Sequence, residues 1–83
     1  MDILNNNNLN RFHKLFPELT PWQLEIIILY SSGLTQKEIS EIKKISRQAV
    51  SKALNSCKNI YHLGNLESIR CVFLARLFSS FSI

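Results

Sequence analysis

The stretch LTQKEISEIKKISRQAVSKAL, residues 34–54, sets two capped helix patterns on either side of a very short connection. Thr35 stands where an N-cap belongs, and Glu38, three residues on, completes the reciprocal capping box, with Leu34 and Ile39 spaced as a hydrophobic staple. The pattern predicts a helix of about eight residues to Ile42, a length that is marginal in water without such caps. KKI then forms the turn. Ser46 caps the next helix, running to about Asn59, with Ile45 stapled to Val50.

On that second helix Val50, Leu54, Cys57 and Tyr61 recur at helical spacing and predict a core-facing stripe. The other face carries Arg47, Gln48, Ser51, Lys52, Asn55 and Lys58. Each of these can hydrogen-bond and none is acidic. A polar face is ordinarily solvated surface, but one free of carboxylates and opened by Arg and Gln suits a site beside phosphates and base edges.

Working outward, LTPWQLEIIILYSSG before the pair predicts another helix. Thr20 is its N-cap, Pro21 its first residue, Gln23 the capping-box partner, and Leu19 and Leu24 the staple. It runs to about Ser32, and Gly33 is free to turn left-handed beyond it. Residues 1–18 read as a polar tail followed by a short helix, LNRFHKLF, capped by Asn8, stopped by Pro17, and packing through Leu9, Phe12 and Phe16. His13 is expected on the surface. After the HLGN turn, Asn65 caps a last helix from Leu66 to about Ser80. Leu66, Ile69, Val72, Phe73, Leu74, Leu77, Phe78 and Phe81 make it apolar nearly all round. A chain of 83 residues cannot bury every side of such a helix, so Phe73, Leu74, Leu77, Phe78 and Phe81 are the candidates for an exposed stripe that meets a second copy. The competing expectation is that Leu9, Phe12 and Phe16 fold back over that stripe within the monomer.

Composition bounds the rest. With 46% hydrophobic residues the chain is expected to form one all-α domain over residues 19–83, preceded by the short helix. No apolar run approaches a membrane span, and the acid at position 2 with no following apolar run argues against a secretory signal, so a cytoplasmic address is expected. Cys57 and Cys71, with no CxxC spacing, are expected to be buried reduced thiols, not metal ligands. No metal, cofactor or small-molecule ligand is evident.

The formal net charge of +4 is concentrated in one place. Lys37, Lys43, Lys44, Arg47, Lys52 and Lys58 face only Glu38 and Glu41 within that segment, whereas Arg11, Lys14, Arg70 and Arg76 are balanced by Asp2, Glu18, Glu25 and Glu67. A focused basic patch is the electrostatic footprint of a phosphate-backbone binder. Residues 34–59 therefore read as a helix-turn-helix for double-stranded DNA. Its first helix, starting at Thr35, crosses the backbone and its second enters the major groove. Arg47 and Gln48 are the expected base-edge contacts; Lys43, Lys44 and Lys52 are the expected phosphate contacts; Ser51, Asn55 and Lys58 complete the face. With no Gly-rich phosphate loop, carboxylate pair or nucleophile–base set, catalysis is not expected.

The stretch LTPWQLEIIILYSSGLTQKEISEIKKISRQAVSKALNSCKNIYHLGN resembles the DNA-binding domain of the LuxR/GerE (FixJ-type) transcription regulators. Thr20, Glu25, Ile26 and Leu29 match LTxxExxVLxL; Gly33, Lys37, Glu38 and Ile39 match GxxxKEIA; Ile45, Ser46 and Val50 match ISxxTV. The resemblance implies a four-helix bacterial regulator domain, its third helix reading the major groove and its fourth pairing two subunits on a two-fold operator. The chain departs from the pattern in having Lys43 for a Leu that Ile42 is expected to replace in packing, Ala49 for a Thr, Ser51 for a basic residue and Ala53 for a His. ISRQAV is also similar to the region-4 helix-turn-helix of sigma factors. With fewer than twenty residues before Thr20, the resemblance implies a stand-alone regulator, a fragment of a larger one, or a diverged accessory protein that binds another regulator or RNA polymerase instead of DNA.

Overall fold

Local hydrogen bonding accounts for where most of the helices begin. The computed structural model describes residues 6–80, with side chains from residue 9 on, and those residues form five helices and no strand. They are α1 (Asn6–Leu15), α2 (Pro21–Ser31), α3 (Gln36–Lys43), α4 (Arg47–Ile60) and α5 (Glu67–Ser79). Thr20 and Thr35 each accept from the backbone N–H three residues on, and Gln23 and Glu38 reach back to the cap N–H, closing both capping boxes. The Ser46 hydroxyl accepts from Ala49 N–H at 3.1 Å. At the last helix the Asn65 carboxamide oxygen accepts from Ser68 N–H at 3.0 Å. Leu66 already has helical angles, so Asn65 is the working cap. Only α1 departs at its start. It begins at Asn6, so Asn8 lies inside the helix and does not cap it.

The core is organised around α2. Leu24 and the run from Ile26 to Tyr30 are buried together, so this helix is covered on all sides, by α1, α3, α4 and α5. A helix apolar around its whole circumference belongs in the interior, and here that helix is α2, not the last one. Phe16, Leu19, Ile39, Val50, Ala53, Leu54, Cys57, Ile69 and Phe73 close round it. Burial pushes the Cys57 thiol up to about 11, which keeps it protonated and inert.

Three consecutive helices end in the same way. Gly33, Lys44 and His62 have positive φ, at 105°, 57° and 55°. In each case that residue's N–H bonds back to the carbonyl three residues earlier: Gly33 to Tyr30, Lys44 to Glu41, His62 to Asn59. The following N–H reaches five residues back: Leu34 to Leu29, Ile45 to Ser40, Leu63 to Lys58. This is the Schellman pattern, and its apolar partner past the left-handed residue is Leu34, Ile45 or Leu63, each packed against the core. Glycine is strain-free in this conformation, whereas Lys44 and His62 hold it at a cost that the surrounding bonds offset.

Helix α1 folds back across α2 and α5. Phe16 stacks on Phe73 with ring centroids 5.4 Å apart, and Phe12 lies tilted on the same ring at 5.7 Å. Two α5 arginines then clamp the layers. Arg76 donates to the Leu15 carbonyl at 2.8 Å, pairs with Glu18, and lies over the Phe16 and Tyr61 rings. Arg70 donates to the carbonyls of Tyr30 at 2.8 Å and Leu34 at 3.3 Å, stacks over the Tyr30 ring, and pairs with Glu67. His13 differs from expectation: it is half-buried, and its Nε2 donates to the Leu19 carbonyl at 2.9 Å, fixing the turn that Pro17 opens. Cys71 differs too, being exposed on α5.

Candidate nucleic-acid interface

The two helices α3 and α4 are joined by only three residues, Lys44 to Ser46, and pack on each other and on α2. Val50, Ala53, Leu54 and Cys57 anchor α4 in the core. Full burial of Val50 and Leu54 contributes about 1.5 to 3 kcal/mol each, so the helix is held as a rigid body against the rest of the chain. Helical periodicity then directs Gln48, Lys52, Asn55 and Asn59 away from the core, flanked by Arg47, Ser51 and Lys58. Arg47, Gln48 and Lys52 are exposed, while Ser51, Asn55 and Lys58 are half-buried. Asn55 donates to the Ser51 carbonyl at 2.9 Å and to its hydroxyl at 3.3 Å. That pairing holds the amide plane in one orientation and leaves the carboxamide oxygen as a free acceptor.

The charge on this face follows from what the acids do elsewhere. Among the described residues there are three ion pairs: Lys43–Glu25 ties α3 to α2, Arg76–Glu18 ties α5 to the segment before α2, and Arg70–Glu67 lies within α5. Glu38 is committed to the Thr35 cap, and its hydrogen bonds there lower its pKa. No carboxylate among the described residues pairs with Lys44, Arg47, Lys52 or Lys58. Four cations thus share the turn and the outer side of α4, an arrangement that attracts polyanions at distances up to about 10 Å at 0.1 M salt.

Two expected assignments change. Lys43 is not a free cation: its ammonium pairs with Glu25, lies 5.6 Å from the centre of the Trp22 ring, and keeps only 18% side-chain exposure. Its aliphatic stem and charge tie α3 to α2 at the position expected to need an apolar residue. Ile42 therefore has no packing role to take over, and it is 54% exposed. Thr35 is exposed, but its hydroxyl and N–H are both used in the capping box, so it contributes through the position of α3.

The candidate association stripe on α5 is also redrawn. Phe73 is buried under Phe12 and Phe16, which removes it from any surface. Leu77 is half-buried and packed on the core. Leu74 and Phe78 are exposed at 40% and 63%, and helical spacing sets Cys71 and Ala75, both exposed, beside them. Phe81 lies outside the described residues. The fold-back of α1 thus covers part of the apolar circumference and leaves a narrower strip.

Sequence reasoning missed the Lys43–Glu25–Trp22 cluster, whose only signal was a lone acid inside the most apolar helix of the chain. It also missed the left-handed Lys44, which aims a cation out of the turn. Near the far end of α4, the Tyr61 hydroxyl is buried and closes no hydrogen bond of ordinary geometry. Burial and the adjoining Glu18 carboxylate raise its pKa, so it stays neutral. Among the described residues no helix is long and apolar enough to cross a membrane, and no group of His, Cys, Asp and Glu side chains is placed to hold a metal ion. Comparison of the chain with protein-family models, with curated proteins and with solved structures finds no match.

Proposed function

We propose that the chain is a sequence-specific regulator of transcription that binds double-stranded DNA through a helix-turn-helix, with α3 against the backbone and α4 in the major groove. The observation that carries this reading is the set of cations on the turn and on α4, Lys44, Arg47, Lys52 and Lys58, none of which has a carboxylate partner among the described residues. Arg47 and Gln48, exposed in the first turn of α4, are the base-reading pair: Arg matches the two acceptors of guanine and Gln the acceptor and donor of adenine. Lys44, Lys52 and Lys58 neutralise phosphates, and Ser51 with Asn55 supplies the remaining polar contacts. The finer fold that accompanies this function is the LuxR/GerE type with an extra N-terminal helix, acting in the bacterial cytoplasm on the nucleoid. Two copies pairing through the α5 strip at Leu74 and Phe78 read half-sites related by a two-fold axis.

The test is the salt dependence of binding to a random duplex, read by fluorescence anisotropy. Three phosphate-facing cations per chain, Lys44, Lys52 and Lys58, correspond to a slope of log affinity against log salt of roughly −2 to −3 for each subunit. A flat response, or no binding at low salt, defeats the proposal.

A second reading is supported by the exposure, at 42% and 54%, of Trp22, whose ring the Lys43 ammonium approaches, and of Ile42, the residue before Lys43. Large apolar side chains at a surface mark protein contacts. On this reading the chain is an accessory protein that docks on another regulator or on RNA polymerase. The same titration separates the two, since an accessory protein keeps its association state while showing little affinity for DNA.

A further inference from the structure

A cleft of about 320 Å³ opens between α1 and the end of α5, lined by Arg11, Phe12, Lys14, Leu15, Leu77 and Ser80. It takes none of its lining from α3 or α4, so it is separate from the interface proposed above. Its volume falls in the range used by small-ligand sites.

The lining is divided by chemistry. Phe12, Leu15 and Leu77 are half-buried, packed on the core, and offer only carbon to the cleft. Arg11 and Lys14 are exposed and three residues apart on α1, hence neighbours on successive turns. Like charges in that relation repel, and no carboxylate among the described residues relieves them: Glu18, the nearest described acid in sequence, is held by Arg76. The Ser80 hydroxyl donates to the Leu77 carbonyl at 2.6 Å and closes the helix end of the cleft. An apolar trough ending in two cations with no carboxylate partner among the described residues matches a molecule with one apolar end and one anionic end.

We propose that this cleft binds a monomeric anionic amphiphile of the medium-chain fatty carboxylate class. The acyl chain lies along Phe12, Leu15 and Leu77, and the carboxylate bridges Arg11 and Lys14. The apolar trough supplies affinity by removing chain methylenes from water, and the cations select the sign of the head group. The alternative is that Arg11 and Lys14 are solvated, with Lys14 merely complementing the C-terminal end of the α1 dipole.

The test is calorimetric titration of the full chain with decanoate below its micelle concentration, alongside decyltrimethylammonium and phosphatidylglycerol vesicles. Decanoate is expected to bind one per chain, and the cationic amphiphile about tenfold more weakly or less. Combined Arg11→Glu and Lys14→Glu should lower decanoate affinity by about tenfold or more while leaving the salt slope of DNA binding unchanged. Leu77→Trp, which fills the trough, should abolish decanoate binding in a protein whose thermal unfolding remains cooperative. The proposal is overturned if decanoate fails to bind, if the cationic amphiphile binds equally well, or if charge reversal leaves decanoate affinity intact. Binding to vesicles without binding of the monomer would instead assign Arg11 and Lys14 to a membrane surface, and overturn it equally.

Discussion

Replacing Lys44 by glycine separates stability from charge at the turn between α3 and α4. Lys44 sits at φ 57°, ψ 47°, the left-handed conformation in which a Cβ crowds the following carbonyl. For a residue with a Cβ that costs roughly 1 to 2 kcal/mol, against which glycine loses about 0.5 to 1 kcal/mol through its freer unfolded chain. The Schellman bonds from Lys44 and Ile45 N–H are backbone bonds and survive the change. Lys44→Gly is therefore expected to stabilise the fold by about 0.5 to 1 kcal/mol, raising Tm by roughly 2 to 8 °C in a domain of this size. Lys44→Ala keeps the strain and removes the same charge, so its Tm should stay near that of the parent. Both substitutions should reduce the salt slope of DNA binding by about one. Differential scanning calorimetry with anisotropy titration on the three proteins decides the matter. A glycine variant no more stable than the alanine variant would refute the strain assignment, and unchanged salt slopes in both would remove Lys44 from the phosphate contacts.

Arg47→Ala and Gln48→Ala should each cost about 1 to 3 kcal/mol on a selected operator and relax its sequence preference, measured by competition against randomised duplexes. Equal losses on specific and random DNA would reduce them to backbone contacts. Lys52→Ala should weaken binding to every sequence and lower the salt slope by about one, whereas Lys43→Ala should leave the slope unchanged and destabilise the fold by roughly 1 to 2 kcal/mol, since Glu25 is left half-buried without its partner. Leu74→Asp should shift a sedimentation profile from dimer toward monomer with the helical circular dichroism retained; a monomeric parent would exclude the α5 pairing. Burial pushes the Glu18 carboxyl up, but the neighbouring Tyr61 hydroxyl and the Arg76 guanidinium outweigh it and leave its pKa below the usual glutamate range. Its contribution to stability is thus complete above the unfolded-state value of about 4.3 and fades as pH falls through the lower folded value, so Glu18→Gln should flatten the decline of denaturant midpoints on acidification below that value.

What could be read from the residues alone was whatever rests on neighbours in the chain. Thr20, Thr35 and Ser46 cap with their own side chains onto an N–H three residues away, and the sequence pattern places them correctly. The core stripe of α4 was legible for the same reason, since 3.6-residue periodicity is local. Side chains that bond across long intervals were not legible. Lys43 counted as one of six basic residues in a patch until Glu25, eighteen residues earlier, claimed it. Arg76 reaches Glu18 across fifty-eight residues and Arg70 reaches Tyr30 across forty, distances at which sequence spacing carries no information. Apolar residues on the last helix announced a surplus of hydrophobic surface, but which side α1 would cover depended on where Phe12 and Phe16 landed. That decision took Phe73 into the core and left Leu74 at the surface. Left-handed positions were legible only at Gly33, because the glycine signal is compositional, whereas Lys44 and His62 are held there by bonds from outside themselves.

The burial of α2 on every side also governs the chain before it folds. Ile26 to Tyr30 is a run of three isoleucines, a leucine and a tyrosine with no charge and no proline, a composition that favours cross-β stacking when it is exposed on a ribosome or in denaturant. Glu25 on one side and the serines at 31 and 32 on the other are its only gatekeepers. The partners that cover the run are made in turn, α3 beginning five residues after Ser31 but α5 only at Glu67, so the segment stays incompletely covered until the last helix is in place. The flanking charge and serines are therefore the protection this segment has in the interval, and Glu25→Ala should reveal it as a loss of soluble yield larger than its loss of stability.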